Sequence, residues 1–214
     1  MRKPSFEVSP EGVHIILAGG FVTLIAALLG WTLVAVAGLI VTLLSLNFFL
    51  DPQRVVPHAA DLAVAPADGK IVRVGPSKDP FTGEEREVVS IFMNVFNVHV
   101  NRVPVDGKLS NLRYTPGKFF NATLDKASED NERNALQLTD EEGRTWTVVQ
   151  IAGLIARRIV CRAEVGDSLA RGERFGLIKF GSRVDVYLPH DYTSTVQPGK
   201  KVLAGQSVIA QKKS

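Results

Sequence analysis

The residue types that can do nucleophilic or acid–base chemistry occur in four short segments of the chain. Gly181-Ser182 is the only Gly-Ser pair, and it opens a strand-forming run, Arg183–Leu188. Asp68 lies in an Asp-Gly pair, His99 lies among strand-forming residues, and Phe119–Asn134 is rich in Asn, Asp and Glu. A serine hydroxyl is a poor nucleophile without a positioned base, and imidazole is the base whose ordinary pKa lies nearest neutrality.

Each segment also has an ordinary structural interpretation when it is taken alone. Gly-Ser and Asp-Gly pairs are common in turns. A lone histidine such as His99 is more often a satisfied core residue than a catalytic one. A charged run such as Phe119–Asn134 is usually a solvated surface. No single segment therefore identifies a reaction.

A long apolar segment near the N-terminus predicts attachment to a membrane. No charged residue occurs in Ile15–Leu50, and this run exceeds the roughly 20 residues that one span requires. We favour a helical hairpin that turns near Gly30-Trp31, because it leaves Arg2-Lys3 and Arg54 on one side, as the positive-inside rule prefers. A single long tilted helix and a shallow monotopic insertion fit the same pattern. A cleaved signal peptide is disfavoured, since its apolar core is only about 7–15 residues long.

The chain is predicted to divide into a membrane-associating helical segment at residues 1–51 and a mainly β domain, of α+β class, at residues 52–214. In the second part short apolar runs alternate with turn pairs such as Asp106-Gly107, which is typical of strands with tight connections. Phe119–Asn134 is predicted to be helical or irregular. The predicted strands are Lys70–Val74, Glu87–Phe92, His99–Val103, Thr145–Ile151, Arg158–Cys161, Arg183–Tyr187 and Ser207–Gln211.

A weak internal repeat indicates a particular β architecture. In residues 165–172 and again in residues 197–205, a glycine is followed three residues later by Leu or Val and six residues later by a second glycine. Such units resemble the turns of biotinyl/lipoyl-like sandwich hybrids, in which glycine supplies positive φ. The fold is therefore predicted to be a sandwich-hybrid-like β domain.

Composition excludes several classes of function. The 214 residues carry a formal net charge of +3, which is too mild to indicate binding to nucleic acid. The His and Cys residues show no metal-ligand spacing, so no metal is expected. Cys161 is the only cysteine, so the chain has no intramolecular disulfide.

Four motifs, taken in order, resemble those of the phosphatidylserine decarboxylases, in particular the short, membrane-associated type. They are Ala67-Asp68-Gly69, then His99–Pro104, then Asp130–Asn134, and finally Gly181-Ser182. The resemblance covers nearly all of residues 52–214. The N-terminal segment resembles that of the family in its apolar character and not in a sequence motif. The last motif departs from the family, since this chain has Phe-Gly-Ser-Arg where many members have Leu-Gly-Ser-Thr.

The resemblance implies a proenzyme that cuts its own chain between Gly181 and Ser182. Asp68, His99 and Ser182 would form the triad of self-processing, with Ser182 as the nucleophile, His99 as its base and Asp68 orienting the imidazole. The products would be a β chain, residues 1–181, and an α chain, residues 182–214, associated as a heterodimer. Ser182 would become a pyruvoyl group, the cofactor of the mature enzyme.

The resemblance also implies the reaction of the mature enzyme. Phosphatidylserine would be decarboxylated to phosphatidylethanolamine and CO₂ through a Schiff base with the pyruvoyl carbonyl, and His99 is the candidate proton donor. Arg102 and Arg133 are candidates for binding the phosphate or carboxylate, because guanidinium groups suit planar oxyanions. Because the acyl tails of the substrate stay in the bilayer, we expect the protein at the cytoplasmic face of the cell membrane. Assembly into a higher oligomer stays open.

Two other classes of function stay open on the residues alone. A membrane-anchored serine hydrolase or peptidase would use Ser182, His99 and Asp68 on other molecules and would remain one chain. A lipoyl-like carrier would be modified within Asp125-Lys126-Ala127, although this tripeptide does not lie between the two glycine-repeat turns. The mass of the intact protein distinguishes the three hypotheses.

Overall fold

The computed structural model of the chain describes residues 6–123, 130–154, 158–178 and 181–213. It contains two compact units, Met1–Gln53 with Phe96–Val98, and Arg54–Val95 with His99–Ser214. The first unit is built mainly of helices and the second of strands. The tripeptide at residues 125–127, considered above as a lipoyl site, lies outside the described residues.

The apolar N-terminal segment forms a helical hairpin. Helix α1 spans Pro10–Leu28 and helix α2 spans Thr32–Phe48. Gly30 lies between them with a φ of +74°, a left-handed conformation that glycine adopts without strain. Two short strands, β1 (Phe6–Val8) and β2 (Leu50–Pro52), flank the helices and pair with each other. The hairpin expected from the sequence is therefore present, and the alternative of one long helix is wrong.

Small residues let the two helices pack closely. A methyl group built on Gly19 would lie 2.8 Å from Thr42 Oγ1, and one built on Gly38 would lie 2.6 Å from Thr23 Oγ1. The outward side chains are apolar and exposed, with Leu33 at 88%. Helix α1 is long and apolar enough to cross a membrane, and α2 is a shorter apolar helix. An exposed apolar surface of this kind is typical of a membrane or interaction site.

The second unit contains the remaining strands of the described chain. They are β3 Leu62–Val64, β4 Gly69–Lys78, β5 Glu85–Met93, β6 Val100–Arg102, β7 Gly107–Thr115, β8 Arg133–Thr139, β9 Thr145–Ala152, β10 Ile159–Cys161, β11 Ser168–Leu169, β12 Arg174–Ile178, β13 Ser182–Tyr187, β14 Tyr192–Ser194, β15 Lys201–Val202 and β16 Val208–Lys212.

These strands form one large sheet and two small ones. The eight-stranded sheet has the order β11-β7-β8-β9-β13-β5-β4-β15, and the three-stranded sheets have the orders β10-β12-β6 and β14-β16-β3. Side chains of all three sheets, such as Val184, Ile178 and Ile209, meet in one hydrophobic core. The mainly β fold class predicted from the sequence is confirmed. Strand β13, which begins with Ser182, lies inside the large sheet between β9 and β5.

The glycine repeat predicted from the sequence corresponds to two similar turns. All four repeat glycines have positive φ, with Gly166 at +105°, Gly172 at +82°, Gly199 at +98° and Gly205 at +72°. Each repeat carries a two-residue strand at its centre, β11 in the first and β15 in the second. These strands pair with the first residues of β7 and β4. The two turns thus cover opposite edges of the large sheet.

A second repeat, which the sequence interpretation missed, faces the first. Asp68–Ile71 and Asp106–Leu109 share the pattern Asp-Gly-Lys followed by an aliphatic residue. Asp68 Oδ1 accepts a hydrogen bond of 2.7 Å from the Ala204 N–H, and Asp106 Oδ1 accepts one of 2.9 Å from the Arg171 N–H. The two halves are therefore built alike, but the side chain of Asp68 is 7% exposed and that of Asp106 is 62% exposed.

Candidate active site

Ser182 occupies a buried position at the start of β13. It pairs with Met93 at the end of β5 and with Ala152 at the end of β9, and it is 0% exposed. Because strand side chains alternate, Ser182 shares a face with Val184, which packs in the core. Within the described ranges the Ser182 hydroxyl has no hydrogen-bond partner. The buried hydroxyls of Ser90 and Thr147 are in the same condition, so Ser182 is distinguished by its place directly after Gly181 at the start of β13.

Gly181, the residue before this serine, has a φ of +61°. This is the left-handed region, which is costly for most other residues. A pocket of about 260 Å³ adjoins Gly181. Its lining is mostly apolar and consists of Phe92, Asn94, Val95, Asn121, Ala122, Leu154 and Gly181. Gly181 therefore adopts a backbone conformation that glycine accepts without strain, and it lies beside open space.

Asp68 lies at the same end of the large sheet as Ser182. Lys70 pairs with Phe92, so Asp68 precedes β4 close to the point where β5 ends. Strand β5 separates β4 from β13, and two strand spacings amount to about 10 Å. Asp68 Oδ2 accepts a charge-assisted hydrogen bond of 2.7 Å from Arg54 Nη2, and both side chains are less than 10% exposed.

The pKa of Asp68 reflects opposing effects. Burial, the largest of them, raises the pKa of the carboxyl above its ordinary value. The Ala204 N–H and the guanidinium groups of Arg54 and Arg102 favour the charged form and oppose that rise. Arg54 therefore helps to keep a buried carboxyl ionised.

His99 is brought to the same region by the strand that follows it. The Arg102 N–H donates to the Pro66 carbonyl at 2.8 Å, and the Val64 N–H donates to the Pro104 carbonyl at 3.0 Å. If this antiparallel register is continued, the residue opposite Asp68 is Val100, the neighbour of His99. His99 itself is 1% exposed. Asp68 and Ser182, 114 residues apart, thus lie at the same end of the large sheet, and the strand that follows His99 runs beside Asp68.

A chain of buried amides connects two of the sequence motifs. Gln150 Nε2 donates to Asn101 Oδ1 at 2.9 Å, and Asn134 Nδ2 donates to Gln150 Oε1 at 3.1 Å. Asn101 Nδ2 also lies 3.7 Å from the sulfur of Met93, the residue that pairs with Ser182. Because buried polar groups are stable only when they are satisfied, this chain fixes β6, which follows His99, against β8 and β9.

The segment around Phe120 is held near Ser182 by Asn131. The Asn131 side chain is 0% exposed, accepts a hydrogen bond from the Phe120 N–H at 2.9 Å, and donates to the Phe120 carbonyl at 2.8 Å. It also donates to the carbonyl of Ala152, the β9 partner of Ser182, at 2.7 Å. The asparagine of the Asp130–Asn134 motif is therefore a brace for the site.

Arg183, at a position where the chain departs from the family motif, is buried at 1% exposure. Its Nη2 donates to Asp185 Oδ2 at 2.9 Å, and its Nε lies 2.9 Å from Asp185 Oδ1, so the two side chains form a buried ion pair. Its Nη1 donates to the Ala122 carbonyl at 3.1 Å. Arg183, the residue after Ser182, therefore connects the start of β13 to Ala122 in the wall of the adjoining pocket.

The two arginines considered for substrate binding contact backbone carbonyls. Arg102 is 6% exposed and donates from Nη1 to the Gly172 carbonyl at 2.9 Å. Arg133 is half-buried and lies 3.5 Å from the Asn131 carbonyl through Nη1. Their roles toward a substrate stay predictions. Arg54 was considered only as a charge beside the membrane, since a sequence gives no sign that it reaches Asp68, 14 residues away.

Comparison with known proteins shows the family of the chain. The sequence profile described as phosphatidylserine decarboxylase matches residues 41–210. The chain belongs to the phosphatidylserine decarboxylase family. A phosphatidylserine decarboxylase proenzyme from Solidesulfovibrio magneticus is 57% identical over 212 residues, which cover 99% of each chain. The phosphatidylserine decarboxylase proenzyme of Nitratidesulfovibrio vulgaris is also 57% identical, over 99% of this chain and 98% of the relative, and that of Geotalea uraniireducens is 44% identical over 98% of each.

Proposed function

We propose that the chain is a phosphatidylserine decarboxylase that matures by cutting itself between Gly181 and Ser182. The observation that carries the proposal is the buried Ser182 hydroxyl, which follows a left-handed Gly181 and has no hydrogen-bond partner in the described part of the chain. Asp68 lies at the same end of the large sheet, and the strand that follows His99 runs beside Asp68. The names of the relatives, which are proenzymes, support the same conclusion.

The first step uses the three side chains together. His99 takes the proton of the Ser182 hydroxyl as Oγ bonds to the carbonyl carbon of Gly181. The bond from that carbon to the Ser182 nitrogen then breaks, and the nitrogen receives a proton. Asp68 orients the imidazole and stabilises its charged form. The result is an ester that joins Gly181 to the Ser182 side chain.

The second step separates the two chains. A base removes the α proton of residue 182, the bond from Cβ to Oγ breaks, and Gly181 leaves as a carboxylate. Water then replaces the nitrogen of the dehydroalanine tautomer, ammonia is released, and a pyruvoyl group remains on the chain of 33 residues that begins at position 182. The buried, unpartnered hydroxyl and the adjoining pocket fit the formation of this group.

The pyruvoyl group would supply an electrophilic carbonyl and an electron sink, the task that pyridoxal phosphate has in other enzymes. The chain's own residues provide the surroundings. His99 would deliver the proton to the α carbon of the product, and the mostly apolar pocket beside Gly181 would admit the substrate and limit the access of water. Arg102 or Arg133 would bind the phosphate or carboxylate. The apolar hairpin would hold the protein at the cytoplasmic face of the membrane.

The test follows maturation and activity separately. Denaturing mass spectrometry of the wild-type protein is expected to show residues 1–181 and a blocked chain from position 182, while Ser182→Ala stays uncut and inactive. Wild-type protein should release CO₂ from phosphatidylserine in vesicles, with free serine as the comparison. An active protein of a single intact mass would contradict the proposal and favour the serine hydrolase.

A further inference from the structure

We propose that Gly153 is a positioning residue for self-cleavage, which holds the carbonyl of Gly181 in line for attack by Ser182. The role rests on the proposed self-cleavage. Gly153 directly follows β9, whose last residue, Ala152, pairs with Ser182. One further step along both strands places Gly153 opposite Gly181, at the bond that is cut.

The Gly181 peptide lies directly against Gly153. A methyl group built on Gly153 would overlap the carbonyl oxygen of Gly181 and lie 2.9 Å from its carbon. On another side the same methyl would meet the side chain of Ala122 at 3.4 Å. The Ala122 carbonyl is itself bound by Arg183. A side chain at position 153 therefore has no room unless the Gly181 carbonyl moves.

Backbone freedom does not explain this glycine. Gly153 is not among the residues with positive φ, whereas Gly181 is. Alanine can adopt the backbone conformation of Gly153, so the obstruction comes from the peptide that is cut. Because nucleophilic attack requires the two reacting atoms to be aligned, a displacement of about 1 Å can slow a reaction by about 100-fold.

Gly176 is a matched control within the same unit. A methyl group built on it would overlap the carbonyl oxygen of Val160 and lie 3.1 Å from its carbon. Gly176 is also buried and also lacks positive φ. Its partner strands are β10 and β6, which contain neither Gly181 nor Ser182. The methyl group would also lie 3.2 Å from Gln150 Nε2, so any disturbance of the amide chain slows the control and makes the comparison a conservative one. Gly176→Ala therefore repeats the steric conflict without touching the bond that is cut.

The experiment compares full-length Gly153→Ala and Gly176→Ala proenzymes, made by cell-free translation with lipid vesicles. Time courses of intact mass give the rate of cutting, hydroxylamine treatment reveals any ester that has formed, and thermal unfolding gives the stability of each chain. We expect Gly153→Ala to be cut about 100-fold more slowly than Gly176→Ala. Hydroxylamine should release almost no fragment from it, because the ester forms too slowly to accumulate. The melting temperatures should fall by similar amounts.

Three results would overturn the assignment. Equal rates of cutting in the two variants would remove any special role for Gly153. A fragment released by hydroxylamine from Gly153→Ala would place the defect after ester formation. Failure of Gly153→Ala to fold while Gly176→Ala folds would make Gly153 a folding residue. A wild-type chain that is never cut would instead overturn the proposed function, on which this role depends.

Discussion

At the scale of single residues, the environment of Asp68 decides what its carboxylate can do. Asp106 is followed by the same Gly-Lys pair and accepts a similar backbone hydrogen bond, but its side chain is largely exposed. Asp68 is buried, contacts Arg54 at 2.7 Å and lies beside the strand that follows His99. Burial without Arg54 would favour the neutral acid, and a neutral acid cannot stabilise an imidazolium.

Arg54→Met is therefore expected to shift the pH dependence of self-cleavage. The pKa of Asp68 is already raised by burial, and loss of Arg54 removes an opposing effect, so it should rise further. Only the ionised carboxylate can stabilise the imidazolium. As the pH is lowered, the rate of cutting should therefore begin to fall at a higher pH in the variant than in the wild type. The measurement is the rate of cutting from intact mass at several pH values.

Arg171→Met is the matched control for this prediction. Arg171 is similarly buried, at 11% exposure, and its Nε lies 3.9 Å from Asp106, the counterpart of Asp68. Its loss should lower stability, because Nη1 donates to the carbonyls of Ala59 and Leu62, but should leave the pH profile in place. Identical profiles for Arg54→Met and the wild type would show that Arg54 does not tune Asp68.

At the scale of elements, the sequence predicted the strands that a local pattern of residues identifies without knowledge of tertiary contacts. β4, β5 and β13 were found from runs of strand-forming residues next to turn pairs. β8 was missed because its buried positions include Asn134 and Gln137, which suggest a surface until their partners are known. The Asn134 amide is satisfied by Gln150, a contact that no local pattern shows.

The candidate site was predicted in part for the same reason. Motif resemblance supplied Asp68, His99 and Ser182, whose roles stay predictions. The structure places Asp68 and Ser182 at the same end of the large sheet and the strand after His99 beside Asp68. Arg54 and Gly153 were not predicted, because their importance comes from contacts across the fold. A sequence also cannot separate the buried Asp68 from the exposed Asp106, since each begins an Asp-Gly-Lys turn.

A prediction at this scale concerns the ion pair on β13. In the uncut Ser182→Ala chain, Arg183→Met should lower the free energy of unfolding by about 3–5 kcal/mol, because it leaves Asp185 buried without its cation. Adding Asp185→Leu should restore most of the loss, since an apolar pair can replace a buried ion pair. Urea unfolding of the detergent-solubilised chain measures both. Arg113→Met, which removes an exposed arginine, is the control and should cost about 1 kcal/mol or less.

The prediction has a clear contrary outcome. If Arg183→Met is no less stable than Arg113→Met, the pair does not secure β13. If Asp185→Leu adds a further loss instead of restoring stability, the Ala122 carbonyl, which Arg183 also binds, is the more important partner. Either result would change the explanation of why this chain carries arginine after the Gly-Ser pair.

At the scale of the whole molecule, cutting after Gly181 would divide the chain without dividing its core. The α chain, residues 182–214, contains β13, β14, β15 and β16. β13, β15 and β16 pair with strands of the β chain, and β14 pairs with β16. β13 is flanked on both sides by strands of the β chain, β9 and β5. The fold therefore explains how the two chains of the proposed mature enzyme would stay associated without a covalent bond.

The division of the chain into two compact units predicts what happens when the apolar hairpin is removed. Asp68, His99 and Ser182 all belong to the second compact unit, as does Arg54, whereas α1 and α2 belong to the first. Deleting residues 1–50 should therefore give a protein that still cuts itself but no longer binds to lipid vesicles. Flotation with vesicles measures attachment, and intact mass measures cutting.

Phe96, 68% exposed, remains in the truncated chain, so Phe96→Ser in the same background is the control for residual binding. Equal flotation of the truncated and full-length proteins would place the attachment outside the hairpin, and an uncut truncated chain would show that the hairpin is needed to form the site.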